Sequence, residues 1–231
     1  MIIKTGVLDS LRNGAGLPLY SPDDWSAVFE QADDPFIEQL RAEWPLLTPP
    51  DALCLEMMDA ARDHVLGAGE SAPHLWAHIL RVTGYAVHLA HEAHLPTEHA
   101  FMMGIFHDIG KLDESTYRHS HEEIGAVMAR EMLRDHYPQY AIESIARAIL
   151  KDSDGVHGHI LHDADKLDKI GATGIMRRIS GNPSPFALPV MLRKLREELR
   201  HFPIMHFPAS EKFSALKKPF TRDFLLMVSD E

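Results

Sequence analysis

The sequence predicts an all-α fold, and three observations carry that prediction. Apolar residues recur at helical spacing in segment after segment, as at 75, 79, 82, 86 and 89 within the stretch 73–94. Caps and breakers stand between those segments: Ser120-His121-Glu122-Glu123 is a capping box, and Pro49-Pro50, Gly67, Pro96, Gly110 and Pro138 punctuate the rest. No stretch alternates with period two for long enough to demand a sheet.

Residues 1–20 carry turn formers (Asn13, Gly14, Gly16, Pro18) and read as an irregular lead-in. Ser21-Pro22-Asp23-Asp24 opens a helix to about Trp44, and a second helix runs from Asp51 to about Leu66. In 73–94 the stripe lets His78 point inward. The next helix starts at Pro96-Thr97, places Ala100, Met103, Gly104 and His107 on one face, and ends at Gly110. The capping box begins a helix to about His136 that buries Ile124, Val127, Met128 and Met132, with His121 on the same face. Residues 138–150 turn Ile142, Ile145 and Ile149 inward, and Asp152-Ser153-Asp154-Gly155 forms a turn. A helix over 159–170 puts Leu161, Asp165 and Asp168 on one side. Asp163 is about 200° round from Asp165 and faces elsewhere. Gly181-Asn182-Pro183-Ser184-Pro185 breaks the pattern before a charged helix (188–201) and a Phe-rich tail, whose phenylalanines read as core. The expected organisation is an N-terminal helical extension (1–70), a central helical domain (71–180) and a C-terminal helical extension (181–231).

With 231 residues the chain can bury one substantial core. Its formal charge of −11 argues against a nucleic-acid polymer as partner, because like charge repels phosphate at every approach. A small phosphorylated substrate remains open, since a bound dication reverses the local sign. No apolar run is long enough to span a membrane, and the first residues lack the organisation of a secretory signal. The single cysteine, Cys54, forbids an internal disulfide and suits a reducing cytosol, so the expected location is cytoplasmic.

His107-Asp108-Ile109-Gly110-Lys111 is the most informative segment. It supplies two adjacent ligands for a hard metal where a helix stops, flanked by His78 upstream and Asp165 downstream on other helices. Imidazole and carboxylate converging from three helices describe a divalent-metal site with positions left for water and substrate.

Taken together, His78 with Arg81-Val82 three residues on, the doublet His107-Asp108 in an HDIGK run, and Asp165 in Asp-Ala-Asp-Lys-Leu-Asp (163–168) resemble the HD superfamily of metal-dependent phosphohydrolases. The resemblance covers residues 74–176 and implies a helical bundle in which His78, His107, Asp108 and Asp165 bind the metal. It implies hydrolysis of a phosphate ester, of a nucleotide or another small phosphorylated metabolite, by a metal-activated water whose pKa falls from 15.7 towards ~7. Asp108 orients or deprotonates that water, and Lys111 and Arg81 are the natural cations for the phosphate. Mixed N/O ligation suits Mn, Mg, Fe, Co or Zn. The expectation is one metal, with room for a second. Bimetallic relatives carry extra histidines between the doublet and the last aspartate; His121 can supply one, and Asp152, His157 or His159 another.

The remaining histidines among the 16, including His74, His88, His91, His94, His99 and His206, read as ordinary polar or packing residues. His91-Glu92-Ala93-His94 is one residue short of a metalloprotease motif and lacks its third ligand. Two other activities fit the same fold: a di-iron oxygenase, which needs the fuller ligand set, and a regulatory module that binds a nucleotide without turnover.

Overall fold

The computed structural model describes residues 49–68, 72–113, 118–152, 155–180 and 188–228. Every element among them is helical. The lead-in over 1–20, the helix expected from Ser21 to Trp44, residues 153 and 154 of the expected turn, and the break at 181–185 lie outside the described residues. The elements are α1 (Ala52–Leu66), α2 (Ala72–Glu92), α3 (Thr97–Phe106), a 3-10 turn (Ile109–Leu112), α4 (His121–Leu133), α5 (Gln139–Ile149), α6 (Val156–Leu167), α7 (Gly171–Ser180), α8 (Leu188–Arg200) and α9 (Pro208–Met227).

Local sequence explains the ends. Asp51 caps α1 by accepting from the Cys54 backbone N–H at 2.7 Å. The Ser120 box forms in full, with Ser120 Oγ accepting from Glu123 N and Glu123 accepting from Ser120 N. α6 begins three residues earlier than expected, at Val156.

α2 is the axis of the molecule and packs against α1, α3, α6, α7 and α9. Every residue from His78 to Ala86 is buried, and so is every residue of α3 from Ala100 to Phe106. Helices apolar on most sides belong at the centre of a bundle, and these two make it. Their crossing is unusually close. A methyl group on Gly104 of α3 would sit 2.5 Å from Thr83 Cα on α2, so only hydrogen fits there. Thr83 Oγ1 would lie 2.6 Å from that methyl, and it donates to Ile79 O in its own helix.

Three expectations are corrected. Gly110 does not end a helix through special backbone freedom; α3 already ends at Phe106, and Gly110 lies in the 3-10 turn. Its missing side chain lets Ile124 approach, since a Cβ would meet Ile124 Cβ at 2.7 Å. In α4 the buried face is Gly125, Ala126, Ala129 and Leu133, while Val127 is half exposed. The helix lies so near the end of α3 that only small side chains fit, and the larger apolar ones are turned aside. In the tail no described phenylalanine is fully buried, and Phe220 is 48% exposed. The buried stripe of α9 is polar instead: Ser210, Ser214, Lys217 and Thr221, joined by Leu225. Each hydroxyl or ammonium has a partner, including Lys217 donating to Tyr85 Oη and Thr173 Oγ1, and Gly171 N donating to Thr221 Oγ1. A small second core, Ile175, Met191, Leu195 and Leu225, joins α7, α8 and α9, with Phe224 packed against it.

Gly104→Ala should lower unfolding free energy by about 1–3 kcal/mol, the usual cost of forcing a methyl into a filled contact. Urea unfolding followed by circular dichroism checks this; an unchanged midpoint would show that the helix crossing yields easily.

Candidate metal centre

The four expected ligands come from three helical segments. His78 is in the middle of α2 and 1% exposed. His107 follows directly on α3, still helical, with its N–H donating to Met103 O at 3.0 Å. Asp108 then leaves the helix at φ −122°, ψ 8°, which turns its carboxylate towards the same point. Asp165 reaches in from α6.

The structure brings these groups together. His107 Nε2 lies 3.3 Å from His78 Nε2. Asp108 Oδ2 is 3.0 Å from His78 Nε2 and 3.4 Å from His107 Nε2, and Asp165 Oδ1 is 3.7 Å from His78 Nε2. A metal with bonds of about 2.0–2.1 Å separates neighbouring ligand atoms by about 3.0 Å in an octahedron and about 3.4 Å in a tetrahedron. The observed spacings fall in and just beyond that range; His78, His107 and Asp165 offer ligand atoms all within 4.8 Å of one another, and Asp108 lies beside the two imidazoles.

Ring chemistry supports the fit. His78 Nδ1 faces Asp168 Oδ2 at 2.7 Å, and His107 Nδ1 faces Gly104 O at 2.6 Å. Both partners only accept, so both Nδ1 atoms carry the proton and a neutral ring presents its Nε2 lone pair. Two lone pairs pointing at each other in a buried site call for a cation between them. The pKa of His107 agrees. Burial pushes it down, but Asp108, Asp165 and the Gly104 carbonyl outweigh burial and raise it. Asp108 shows the converse: burial opposes its charge, yet His107, His121 and His78 hold its carboxyl far below the usual range. It is therefore a good ligand and a weak proton acceptor.

The other expected site residues fall into different places. Arg81 sits behind His78, donating from Nε to Asp168 Oδ1 at 2.5 Å and from Nη2 to Oδ2 at 3.1 Å. It serves the centre through Asp168 and His78, which corrects the expectation of a direct phosphate contact. Lys111 Nζ contacts Asp108 Oδ2. His121 Nε2 is 3.3 Å from Asp108 Oδ1 and 3.2 Å from Glu122 Oε1, on the side of Asp108 away from the histidine pair. The other candidates for a second metal lie elsewhere. His157 Nδ1 pairs with Ser144 Oγ, the His159 ring stacks on His206, and Asp152 is exposed. His74 is exposed as well.

Two residues support the ligands, Asp168, expected on the Asp165 side of its helix, and Lys169, which the sequence reading did not single out. Asp168, fully buried, orients His78 and is held by Arg81 and by Arg177 Nη1 at 3.2 Å. A carboxylate on the far nitrogen of a ligating imidazole is the usual way to fix tautomer and ring direction. Lys169 Nζ donates to Asp165 Oδ2 at 2.5 Å, leaving Oδ1 towards His78. Its i,i+4 spacing from Asp165 was the available signal.

In this all-α bundle, imidazoles and carboxylates from separate helices form a cluster that could hold a metal ion. A family model for the HD domain matches residues 75–170. That segment, about two-fifths of the chain, contains His78, His107, Asp108 and Asp165. Solved structures share the fold. A predicted HD superfamily hydrolase from an uncultured Thermotogales bacterium aligns with a TM-score of 0.60 at 22% identity, over 76% of this chain and 91% of that one. An HD-superfamily hydrolase from Bacillus thuringiensis gives 0.60 at 22% identity, over 76% and 94%. YpgQ from Bacillus subtilis gives 0.58 at 20% identity, over 77% and 96%, and was also solved in complex with ADP. Among curated proteins none matches the chain. No helix among the described residues is long and apolar enough to cross a membrane.

Asp168→Asn keeps the shape of the buried side chain but removes its charge beside His78, and should weaken divalent-metal affinity roughly 10–100-fold with the helical content intact. Isothermal titration with Mn²⁺ checks this, and equal affinities would exclude the orienting role. Asp165 gives a pH signature. Burial opposes its charge, but Lys169, His78 and His107 bring its pKa from 3.8 to about 2. A depressed carboxyl stabilises the fold above its unfolded pKa, and that contribution is lost as pH falls from about 4 to 2. Thermal melts across that window should show a smaller loss in Asp165→Asn than in the parent chain; parallel curves would contradict the shift.

Proposed function

We propose that the chain is a metal-dependent phosphohydrolase that cleaves a phosphate ester of a nucleotide or another small phosphorylated metabolite. The observation that carries this reading is the convergence of His78, His107, Asp108 and Asp165 at ligand spacing, with both imidazoles locked to present Nε2. A divalent ion held there supplies Lewis-acid polarisation and lowers the pKa of water to near neutrality. The chain's own residues do the rest. The Nδ1 atoms of His78 and His107 are committed to Asp168 and the Gly104 carbonyl, which leaves Nε2 of each ring for the ion. Asp108 orients rather than accepts a proton, since its carboxyl is held strongly acidic. Lys111 is one-third exposed and shares Asp108 Oδ2 with the histidine pair. Lys111 would be free to turn outward to a phosphoryl oxygen if a dication took over the balancing of Asp108.

A cavity of about 480 Å³ supports a phosphorylated substrate of nucleotide size. Lys166, Lys169, Arg178 and Lys194 line it together with Glu197 and Glu198, the second of which pairs with Arg178, so cations outnumber anions there. Lys169 connects it to the centre through Asp165. Cations gathered at one wall of a chain with net charge −11 favour an anionic ligand. That YpgQ was crystallised with ADP is in keeping with this reading. The oxygenase alternative asks for a complete second ligand set. His121 stands ready for one, but His157, His159 and Asp152 do not join it.

His107→Ala and Asp108→Ala should each abolish tight metal binding and cut metal-dependent phosphate release by roughly 100-fold or more, since even outer partners of a ligand are worth 10–100-fold. Metal analysis of chelator-free protein, paired with a screen of nucleotides and sugar phosphates for released phosphate, tests this. Metal-dependent turnover unchanged in both variants would refute the assignment, and iron with oxygen consumption would favour the oxygenase.

A further inference from the structure

We propose that His162, Asp163 and His206 form a second, separate metal site that fastens the start of α9 to α6. The three residues offer ligand atoms within 4.8 Å of one another, and Asp163 leaves α6 about 200° round from Asp165. His206 Nδ1 lies 2.7 Å from Asp163 Oδ1, and His162 Nδ1 lies 3.1 Å from the same oxygen. The His159 ring stacks on His206 with centroids 3.9 Å apart and planes within 12°. Four polar groups from α6 and the segment before α9 thus meet at one point. The motif reading passed over them because His206 is distant in sequence.

The two oxygens of Asp163 divide the work. Oδ2 is structural: it accepts from His206 N at 2.7 Å, from Phe207 N at 3.3 Å and from Ser210 Oγ at 2.5 Å, satisfying donors at the N-terminus of α9. Oδ1 takes no backbone donor and faces only the two imidazoles. The carboxylate is fully buried, while the His162 and His206 side chains are 36% and 35% exposed. Solvent can therefore deliver an ion to one face of a fixed anion. Coordination through the two Nδ1 atoms, which now face Asp163 Oδ1, would place each ring proton on Nε2 instead. The present N to O separations of 2.7 and 3.1 Å would open to about 3.4 Å around a tetrahedral ion. Half-exposed rings can make that movement. Two imidazoles and one carboxylate suit a borderline ion such as Zn²⁺ better than Mg²⁺ or Ca²⁺.

This site does not rest on the phosphohydrolase reading, and its test keeps the two apart. Chelator-stripped protein without affinity histidines is titrated with Zn²⁺, and bound zinc and melting temperature are recorded for the parent chain, His162→Ala, His206→Ala and the double variant His107→Ala/Asp108→Ala. The proposal expects His162→Ala and His206→Ala each to bind one zinc fewer per chain than the parent, or to bind it at least tenfold more weakly. It expects the double variant to keep that zinc and still melt higher when zinc is added. His162→Ala touches Asp163 only through Oδ1, so it carries the test even if His206→Ala fails to fold. Equal zinc stoichiometry and affinity in the parent chain and His162→Ala would overturn the site and leave these contacts as a hydrogen-bonded clamp.

Discussion

Where α3 crosses α2, the hydrogen of Gly104 takes the place of a side chain, and the Thr83 backbone fills the space a methyl would need. The metal centre depends on that contact. Interaxial distance between packed helices is set by the side chains at the crossing, and the smallest residue allows the shortest distance. His78 is five residues back from Thr83 along α2, and His107 three residues on from Gly104 along α3, so the crossing carries both imidazoles inward. The Gly104 carbonyl then fixes the His107 ring through Nδ1. One residue thus sets both the approach of the helices and the direction of a ligand.

Charge balance explains why this centre can be buried. Asp108, Asp165 and Asp168 are costly anions in an apolar bundle, and each has its own cation: Lys111, Lys169, and Arg81 with Arg177. Asp168 is farthest inside and receives the two guanidiniums, whose fixed geometry suits a permanent structural pair. Asp108 and Asp165 receive lysines, flexible cations, and Lys169 also lines the cavity. The arginines therefore hold the framework, and the lysines can be redistributed when a dication or an anionic ligand arrives.

The sequence was most legible where one rule acted alone. The stripe at 75, 79, 82, 86 and 89 gave α2 its buried face, and the serine box gave the start of α4 to the residue. The grouping of His78, His107, Asp108 and Asp165 followed from motif order. Legibility failed where packing overrode pattern. In α4, Val127 fits an apolar stripe but is half exposed, and the residue against the end of α3 is Gly125, where a Cβ would meet Phe106 O at 2.4 Å. Along α9 the phenylalanines suggested a core, whereas hydroxyls and Lys217 make the contact because their partners on α2, α6 and α7 are polar. No periodicity within α9 could reveal those partners. Arg81 was misread for the same reason: a cation at i+3 from a ligand is equally placed to face a substrate or a carboxylate behind the ligand, and only Asp168 decides.

The run from Asp163 to Asp168 shows how one turn and a half of helix can serve three purposes. At 100° per residue the three aspartates leave α6 in three directions. Asp165 points into the metal centre, Asp168 lies about 60° away beneath His78, and Asp163 turns to the segment before α9. The same short rod therefore presents one ligand, orients another, and anchors the C-terminal helix, which itself reaches α2 through Lys217 and Tyr85. A displacement of α9 is then a displacement of α6 and α2 together, the two helices that carry Asp165 and His78. The C-terminal helix is in this sense part of the centre's support, although none of its residues enters the ligand cluster.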